Sequence, residues 1–524
     1  MPIRVDGLTL TLNGSEKSLR RRLAKRLDVP TGRVVAYRIL RKSLDARNKS
    51  RIRWVYSVQV IGEDEREILS RFRDDPHVTP ALESREPLVI PRVERAYRPL
   101  VVGSGPAGLF AAEFLARAGA PPLILERGKP VDERNEDVAA LVQAGELDPE
   151  SNICFGEGGA GTYSDGKLYT RGNDPLIRHV YEKFANFGAP GHILYDTAPH
   201  LGSDRLPNYV VSFRKTLIEL GVEYRFRSKV VDIMVEDGRA HGVVLADGSE
   251  IESDLIVLAV GHSADDLVRK LAARGVAVQS KGFAVGARIE HPQQLIDKVQ
   301  YGRAAGHPKL PPASYRLTHR TKNGRGVYSF CMCPGGEILP SGTDTAHLVI
   351  NGGSPAGRDG IRANSAIVVS VDENDFGDEP LAGLEFRERI EMAAAQAVTA
   401  GSCTAPAQKV LDFLMGEVSE HLPPTSYGPG VEAADLKAIF PPFIAEAIAD
   451  ALVSWDRQLR GFAGGRAVLV GVETRTSSPW RLTRDEHYHA LGARGLVVCG
   501  EGSGYAGGIA SSAVDGIKAV LAQK

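Results

Sequence analysis

Cysteine is scarce in this chain, five residues in 524, and the set Cys154, Cys331, Cys333, Cys403 and Cys499 is odd in number and widely scattered apart from one close pair. Such usage argues against a disulfide framework and fits a reducing compartment. The spacing Cys331-Met332-Cys333 is too tight for a structural zinc pair and no second Cys/His pair accompanies it, so no metal site is expected. Long apolar runs are missing as well. None reaches the roughly 18 residues that span a bilayer, and the start MPIRVDGLTLTLNGSEKS has no apolar segment of signal-peptide type. A cytoplasmic location with no membrane span is the expectation. What is present, 43% hydrophobic and 25% charged residues, is ordinary globular composition over a length that allows two or three domains.

The formal net charge of −1 conceals an asymmetry, because residues 1–60 hold 15 Lys or Arg against four Asp or Glu, including Arg20, Arg21, Arg22, Lys25 and Arg26. A basic head can meet nucleic acid or an acidic partner. No aromatic interleaving or nucleic-acid motif accompanies it, so the solvated face of a small docked domain is the favoured reading.

Along the first 95 residues a strand (Leu8 to Leu12), an amphipathic helix (Ser15 to Leu27) and strands around Val34 to Ile39 and Ile52 to Val60 predict a small α+β domain. Pro87, Pro91 and Pro99 punctuate a connector. From Leu100 the order is strand, glycine turn, helix, strand: LVV, GSGPAG, LFAAEFLARAGA, PLILE. Asp237-Gly238 and Asp247-Gly248 then mark turns of a β-meander that ends in a buried strand, Leu255 to Val260. Between about Gly282 and Val468 strands such as GVYSFCM and HLVIN, a hairpin at Asn323-Gly324 and helices around Leu384 to Ala400 and Phe443 to Leu452 predict an inserted domain. The tail returns to strand LVVCG, turn EGSGYAGG and helix IASSAVDGIKAVL.

Gly103-Ser104-Gly105-Pro106-Ala107-Gly108 fits G-x-G-x-x-G in the context that gives it meaning, after a strand and opening a helix. The glycines allow a tight turn, close approach of a pyrophosphate and close helix packing, and the helix N-terminus receives the anion. Glu126 ends the next strand, followed by Arg127, where a carboxylate accepts from ribose hydroxyls and repels a 2′-phosphate, favouring FAD or NAD over NADP. Gly159, Ala160, Gly161 and Thr162 lie in the glycine-dense block Asn152 to Arg171, and Gly261 follows the buried strand.

GSGPAGLFAAEFLARAGAPPLILERG, LIVLAVGHSA and CGEGSGYAGGIASSAVDG together resemble the glutathione-reductase-like class of FAD-binding proteins. With FGEGGAGTYSDGKL, GFAVGARIEHPQ, YSFCMCPGGEILP and GVETRTSSP, the resemblance extends over nearly the whole chain to a widespread family of uncharacterised FAD-dependent dehydrogenases, or NAD(P)/FAD-dependent oxidoreductases. It implies an α/β fold: an FAD-binding domain of parallel sheet plus β-meander in two parts (96–281 and 469–524), an inserted α+β substrate domain (282–468) and the small domain at 1–95. It implies that Gly500, Glu501, Gly502, Gly504, Gly507, Gly508 and Ile509 return to the flavin, with a helix N-terminus aimed at the pyrimidine edge, that the Asn152 to Arg171 block lies along the ring, and that main-chain atoms of Val230 pair with adenine.

Only one dinucleotide fingerprint is present, and no Cys-x₄-Cys pair lies near it, so a two-nucleotide disulfide reductase is not expected. The Trp-x-Trp-x-x-Pro motif of tryptophan-type halogenases is missing, and Glu501 stands where many aromatic hydroxylases carry Asp. The expected activity is hydride or electron transfer between bound FAD and a small organic substrate, with NADH or NADPH as external donors to test and a redox partner as the other source. Arg288, His291, Cys331, Cys333 and Arg475 are the candidate pocket residues: an Arg to hold a carboxylate, a His to move a proton, a low-pKa Cys to relay redox state. Each also has a plain packing or ion-pair reading. Two other functions stay open: an RNA-modifying flavoprotein that docks RNA on the basic head, and a flavin-holding partner protein without turnover.

Overall fold

A computed structural model of the chain describes residues 2–62, 64–81, 88–170 and 172–523. Pro87 and Arg171 therefore fall outside the described residues. The N-terminal strands are Ile3–Thr11, Val34–Asp45, Arg53–Gly62 and Val78–Pro80, with helices Leu19–Leu27 and Glu65–Arg71 between them. They pair antiparallel in the order second, third, first, fourth, which is the ferredoxin-like βαββαβ arrangement. The helix buries Leu19, Leu23 and Leu27 on this sheet and leaves Arg21, Arg22 and Lys25 in water, as the 3.6-residue period dictates. Main-chain bonds between Lys42 and the Tyr195–Thr197 segment dock this unit on the body of the molecule.

The second sheet carries five parallel strands in the order Ala493–Val498, Ile256–Leu258, Leu100–Val102, Leu123–Leu125, Glu223–Arg225. Helices Pro106–Arg117 and Ile509–Leu521 lie side by side on one face, so close that a Cβ on Gly516 would collide with the carbonyl oxygen of Ala107. The three central strands, Ile256–Leu258, Leu100–Val102 and Leu123–Leu125, are short, apolar and buried on both faces, as parallel strands under helices must be, while Glu223–Arg225 forms a more exposed edge. Strand order reverses between Leu100–Val102 and Ile256–Leu258, and in such sheets ligands bind beyond the carboxyl ends of the strands at that switch. The meander Val230–Glu236, Arg239–Leu245, Glu250–Glu252 extends one edge.

The third sheet has seven strands in the order Thr318–Arg320, Gly326–Cys333, Arg362–Val371, Phe283–Pro292, Val468–Glu473, Ala405–Lys409, Val431–Ala433, antiparallel except for the last pair. Helices Ala382–Gln396 and Pro442–Gln458 cover it with Phe386, Ile390, Ile448 and Trp455. Val468–Glu473 corrects the expected boundary at 469, because this strand sits between Phe283–Pro292 and Ala405–Lys409. The chain rejoins the parallel sheet only at Ala493. The six residues are all buried, and a run without alternation reads the same in a covered antiparallel sheet as in a parallel one.

Candidate functional site

One cleft runs along the switch point, bounded by the carboxyl ends of the parallel strands and closed on the far side by the third sheet. At its first end the glycine loop behaves as its three glycines require. Gly103 has φ +98°, and a Cβ there would stand 2.5 Å from the carbonyl oxygen of Ala259. A Cβ on Gly108 would collide with the Gly103 carbonyl oxygen, so only glycine lets this helix start so near its strand. Gly105 differs: its nearest neighbour would be the Gly159 Cα at 3.8 Å, and its open side is the cleft. Pro106 opens the helix, and the N–H groups of Ala107 and Gly108 have no acceptor within it.

Glu126 lies where expected, at the end of its strand and in the cleft wall, but its carboxylate is spent on the protein. One oxygen accepts from Ser104 N (2.9 Å) and Ser104 Oγ (2.6 Å), the other from Gly128 N (3.0 Å) and Gly156 N (3.1 Å). Four donors saturate a carboxylate. The carboxylate thus ties three turns together at the place where ribose hydroxyls were expected. Arg127, stacked 3.7 Å over the Phe155 ring and paired to Glu150 at 2.6 Å, walls the same end with Val230.

The segment 152–161 is held by a residue the sequence reading missed. Arg134, fully buried, donates to four main-chain carbonyls: Asn152 (2.9 Å), Glu157 (2.6 Å), Ile153 (3.0 Å) and Gly159 (3.1 Å). Tyr163 stacks on its guanidinium at 4.9 Å. Gly159, Ala160 and Gly161 consequently face the cleft, whereas Thr162 turns away and donates to the Glu157 carbonyl, so Thr162 is corrected from binding residue to loop support. Burial pushes the Glu157 carboxyl up to about 7.

From the C-terminal motif Glu501, Gly508 and Ile509 reach the cleft at the N-terminus of the last helix. Gly508 and Gly261 have positive φ and nothing within 4 Å of a Cβ, so the space beside both is open. Gly500, Gly502, Gly504 and Gly507 do not line the cleft. Gly500 makes room for Ala107, Gly502 for the main chain of Gly261 and Gly504 for that of Trp480. Burial raises the Glu501 carboxyl to about 7.

The third sheet supplies buried charge. Arg475 lines the cleft and donates to Glu391 from Nε (3.3 Å) and Nη2 (3.1 Å) and to Ser263 Oγ (3.0 Å), and Arg387 flanks the same carboxylate. His262, which sequence reasoning passed over, lies beside Ser263 in the cleft wall with Nδ1 2.8 Å from its hydroxyl. Burial, with Arg475 nearby, lowers its pKa to about 3, so it is neutral in ordinary buffer. Farther along stand Lys167, Asp165, Phe330, Cys331 and Asn351. Lys167 Nζ is 3.8 Å from Cys331 Sγ and 3.7 Å from Cys333 Sγ and pairs with Asp165, which also pairs with Arg358 at 2.9 Å. Cys331 has φ +44° at a bulge where strand Gly326–Cys333 carries one extra residue against Arg362–Val371. A non-glycine residue held there costs about 1–3 kcal/mol.

Two candidates drop out as substrate groups. Arg288 is fully buried behind the cleft wall, bidentate to Glu473 (2.6 and 2.8 Å) with further bonds to Asn364 (2.6 Å), Asn351 (3.2 Å) and the Cys331 carbonyl (3.4 Å). No donor of its fork is left for a ligand. His291 is buried against Phe462, bonded to its carbonyl at 2.7 Å, with burial lowering its pKa to about 4, and does not reach the cleft. Arg475 and Cys331 do line it, and Cys333 sits just behind Cys331.

Residues 282–476 match the C-terminal-domain-like family of FAD-dependent proteins, residues 202–324 match the FAD dependent oxidoreductase family, and residues 2–61 match a domain of unknown function. An uncharacterised protein of Clostridium beijerinckii is 41% identical over 522 residues, 99% of this chain and 98% of its own. Among solved structures the flavin-dependent brominase Bmp2 is 12% identical over 82% of this chain and 79% of its own, with a TM-score of 0.36. CtdE in complex with FAD is 13% identical over 81% of this chain and 83% of its own, with a TM-score of 0.30. The molecule is an FAD-dependent oxidoreductase, and FAD is its cofactor. The chain belongs to the same family as the clostridial protein.

The residues present fit that cofactor. Two helix N-termini open on one cleft, and along it a Cβ on Gly261 or Gly508 would meet nothing within 4 Å and one on Gly105 nothing nearer than 3.8 Å, which leaves their backbone open to a ligand.

Proposed function

We propose that this chain exchanges hydride or electrons between bound FAD and a small organic substrate admitted at the third-sheet end of the cleft. The observation that carries the reading is the meeting, in one cleft, of a glycine loop with two helix N-termini on one side and buried, partnered charges of an inserted sheet on the other. In this reading Gly103, Ser104, Gly105, Pro106 and Ala107 take the pyrophosphate, with the N–H groups of Ala107 and Gly108 meeting its charge. Val230 and the Glu126-Arg127 corner hold the adenosine end, and Gly159, Ala160, Gly161, Gly261, Glu501, Gly508 and Ile509 flank the way to the ring. FAD, when bound, supplies the hydride and electron chemistry that no side chain offers.

The chain's own groups do the positioning. Arg475, fixed by Glu391 and Ser263, presents positive charge without needing to reorganise, and neutral His262 is able to donate or accept one hydrogen bond. Phe330 shields this end from water.

The test is the absorbance spectrum of the purified protein, repeated anaerobically after NADH or NADPH is added. A flavin spectrum bleached by one donor is expected. A flavin that neither donor bleaches moves the electron source to the substrate or a protein partner. A protein that stays colourless after incubation with FAD overturns the reading.

A further inference from the structure

Cys331, Cys333 and Lys167 are not used by the reading above, and their arrangement asks for a use. In a regular strand, residues two apart face the same side with Cα atoms about 6.6 Å apart, near the upper limit for a disulfide at about 6.8 Å. Here the extra residue of the bulge and the left-handed turn at Cys331 break that regular spacing, and the Cys333 thiol lies back against the Cys331 carbonyl oxygen at 3.2 Å. Glycine is the residue such a bulge prefers. A cysteine there brings strain in exchange for a side chain, and that side chain lines the cleft.

The charges around the pair are unbalanced without it. Lys167, Arg358 and Arg288 face two carboxylates, Asp165 and Glu473, inside the protein. A single thiolate closes the balance, and a buried uncompensated charge is costly. The Cys333 thiol, then Lys167 and Arg288, hold the Cys331 thiol well below its usual range against the effect of burial, while Cys333 is pushed up. The ammonium of Lys167 is almost equidistant from the two sulfurs, so it can face either thiolate in turn.

We infer that Cys331 and Cys333 are a redox-active dithiol pair, open to the cleft through Cys331, that reacts by thiol–disulfide exchange with low-molecular-weight disulfides. The Cys331 thiolate attacks one sulfur of the small disulfide, forming a mixed disulfide and releasing one small thiolate, which takes up a proton. Cys333 gives up its proton as its sulfur attacks Cys331, forming the Cys331–Cys333 disulfide and releasing the second small thiol. One small disulfide is reduced to two thiols and the protein dithiol is oxidised, with no further reagent. The inference goes beyond the flavin reading and stands on thiol chemistry alone.

The test uses the full-length protein with its flavin, equilibrated with oxidised glutathione, quenched in acid, unfolded, labelled with a maleimide and weighed. The chain has five cysteines, and loss of two labels without added glutathione mass, with the bond mapped between 331 and 333, is the expected result. Retention of all five labels overturns the inference, as does glutathione trapped on Cys331 with Cys333 free. The iodoacetamide rate of Cys331 at neutral pH should fall about tenfold in Lys167→Met and be kept in Lys167→Arg. An unchanged rate in folded Lys167→Met also overturns it. Bleaching of the flavin by NADH or NADPH, read on the same sample, keeps failure at the thiols distinct from failure of the flavin reading.

Discussion

At the glycine-loop end of the cleft the chain offers backbone: N–H groups of a helix start, carbonyls tied down by Arg134, and glycines that let main chain pack closely at Gly103 and Gly108 and stay open at Gly105. At the third-sheet end it offers side-chain charge, Arg475 with Glu391 and Lys167 with Asp165, each partnered before any ligand arrives. Backbone donors suit an anion of fixed shape such as a pyrophosphate, which many proteins share. Paired side chains in a protein interior suit discrimination, because a ligand that leaves them unmatched loses much of its binding energy. The cofactor end is therefore built for a general task and the substrate end for a particular one.

The comparison is broken most severely by removing one buried guanidinium group at each end. Arg134→Ala orphans four carbonyls at the first end, and Arg288→Met leaves Glu473 buried without its partner at the other; each is expected to cost about 3–5 kcal/mol in urea unfolding. Lysine should rescue neither, since one ammonium reproduces neither a four-carbonyl cradle nor a bidentate fork. The two should part in flavin content: refolded Arg134→Ala loses FAD, while whatever Arg288→Met folds retains it. Next comes Gly108→Ala, whose methyl meets the Gly103 carbonyl; overpacking of this kind costs about 1–3 kcal/mol, and thermal unfolding with a flavin assay measures it.

The smallest effect is one of pH. Burial raises the Glu157 and Glu501 carboxyls to about 7, above the unfolded value of about 4.3. The folded apoprotein thus binds their protons more tightly than the unfolded chain does. Their contribution to stability is greatest below the unfolded value and declines as pH rises from about 4.3 to about 7. Glu501→Gln and Glu157→Gln should each flatten this decline, and urea midpoints across that window will show it. Equal slopes in variant and parent would contradict the assignment.

The same division explains what the sequence made legible. Gly103, Gly105 and Gly108 announce themselves because a backbone site needs fixed spacing within one turn. Glu126 was legible as a cleft residue, but its bonds to the turns at Gly128 and Gly156 were not, because those turns come together only in three dimensions. Arg134 on an ordinary helix carries no mark of its burial. Lys167 and Cys331, and Arg475 and Ser263, meet across more than 150 positions, beyond the reach of any local pattern. Arg288 and His291 were sensible candidates by type, but on their buried strand Arg288 is consumed by Glu473 behind the cleft wall, and His291, three residues on, faces the opposite side of the sheet against Phe462. The fold class was plain from its element order, while the strand Val468–Glu473 was assigned across the wrong boundary for want of alternation.

The most direct measurement is titration of the FAD-stripped protein with FAD, followed by flavin absorbance, in the parent and in Gly105→Val. A Cβ on Gly105 would meet nothing nearer than the Gly159 Cα at 3.8 Å, and Gly105 lines the cleft, so the variant should keep its unfolding midpoint while losing at least about tenfold in FAD affinity as its side chain takes the place of the pyrophosphate. A folded Gly105→Val protein that binds FAD as tightly as the parent would contradict the assignment of this cleft to the cofactor.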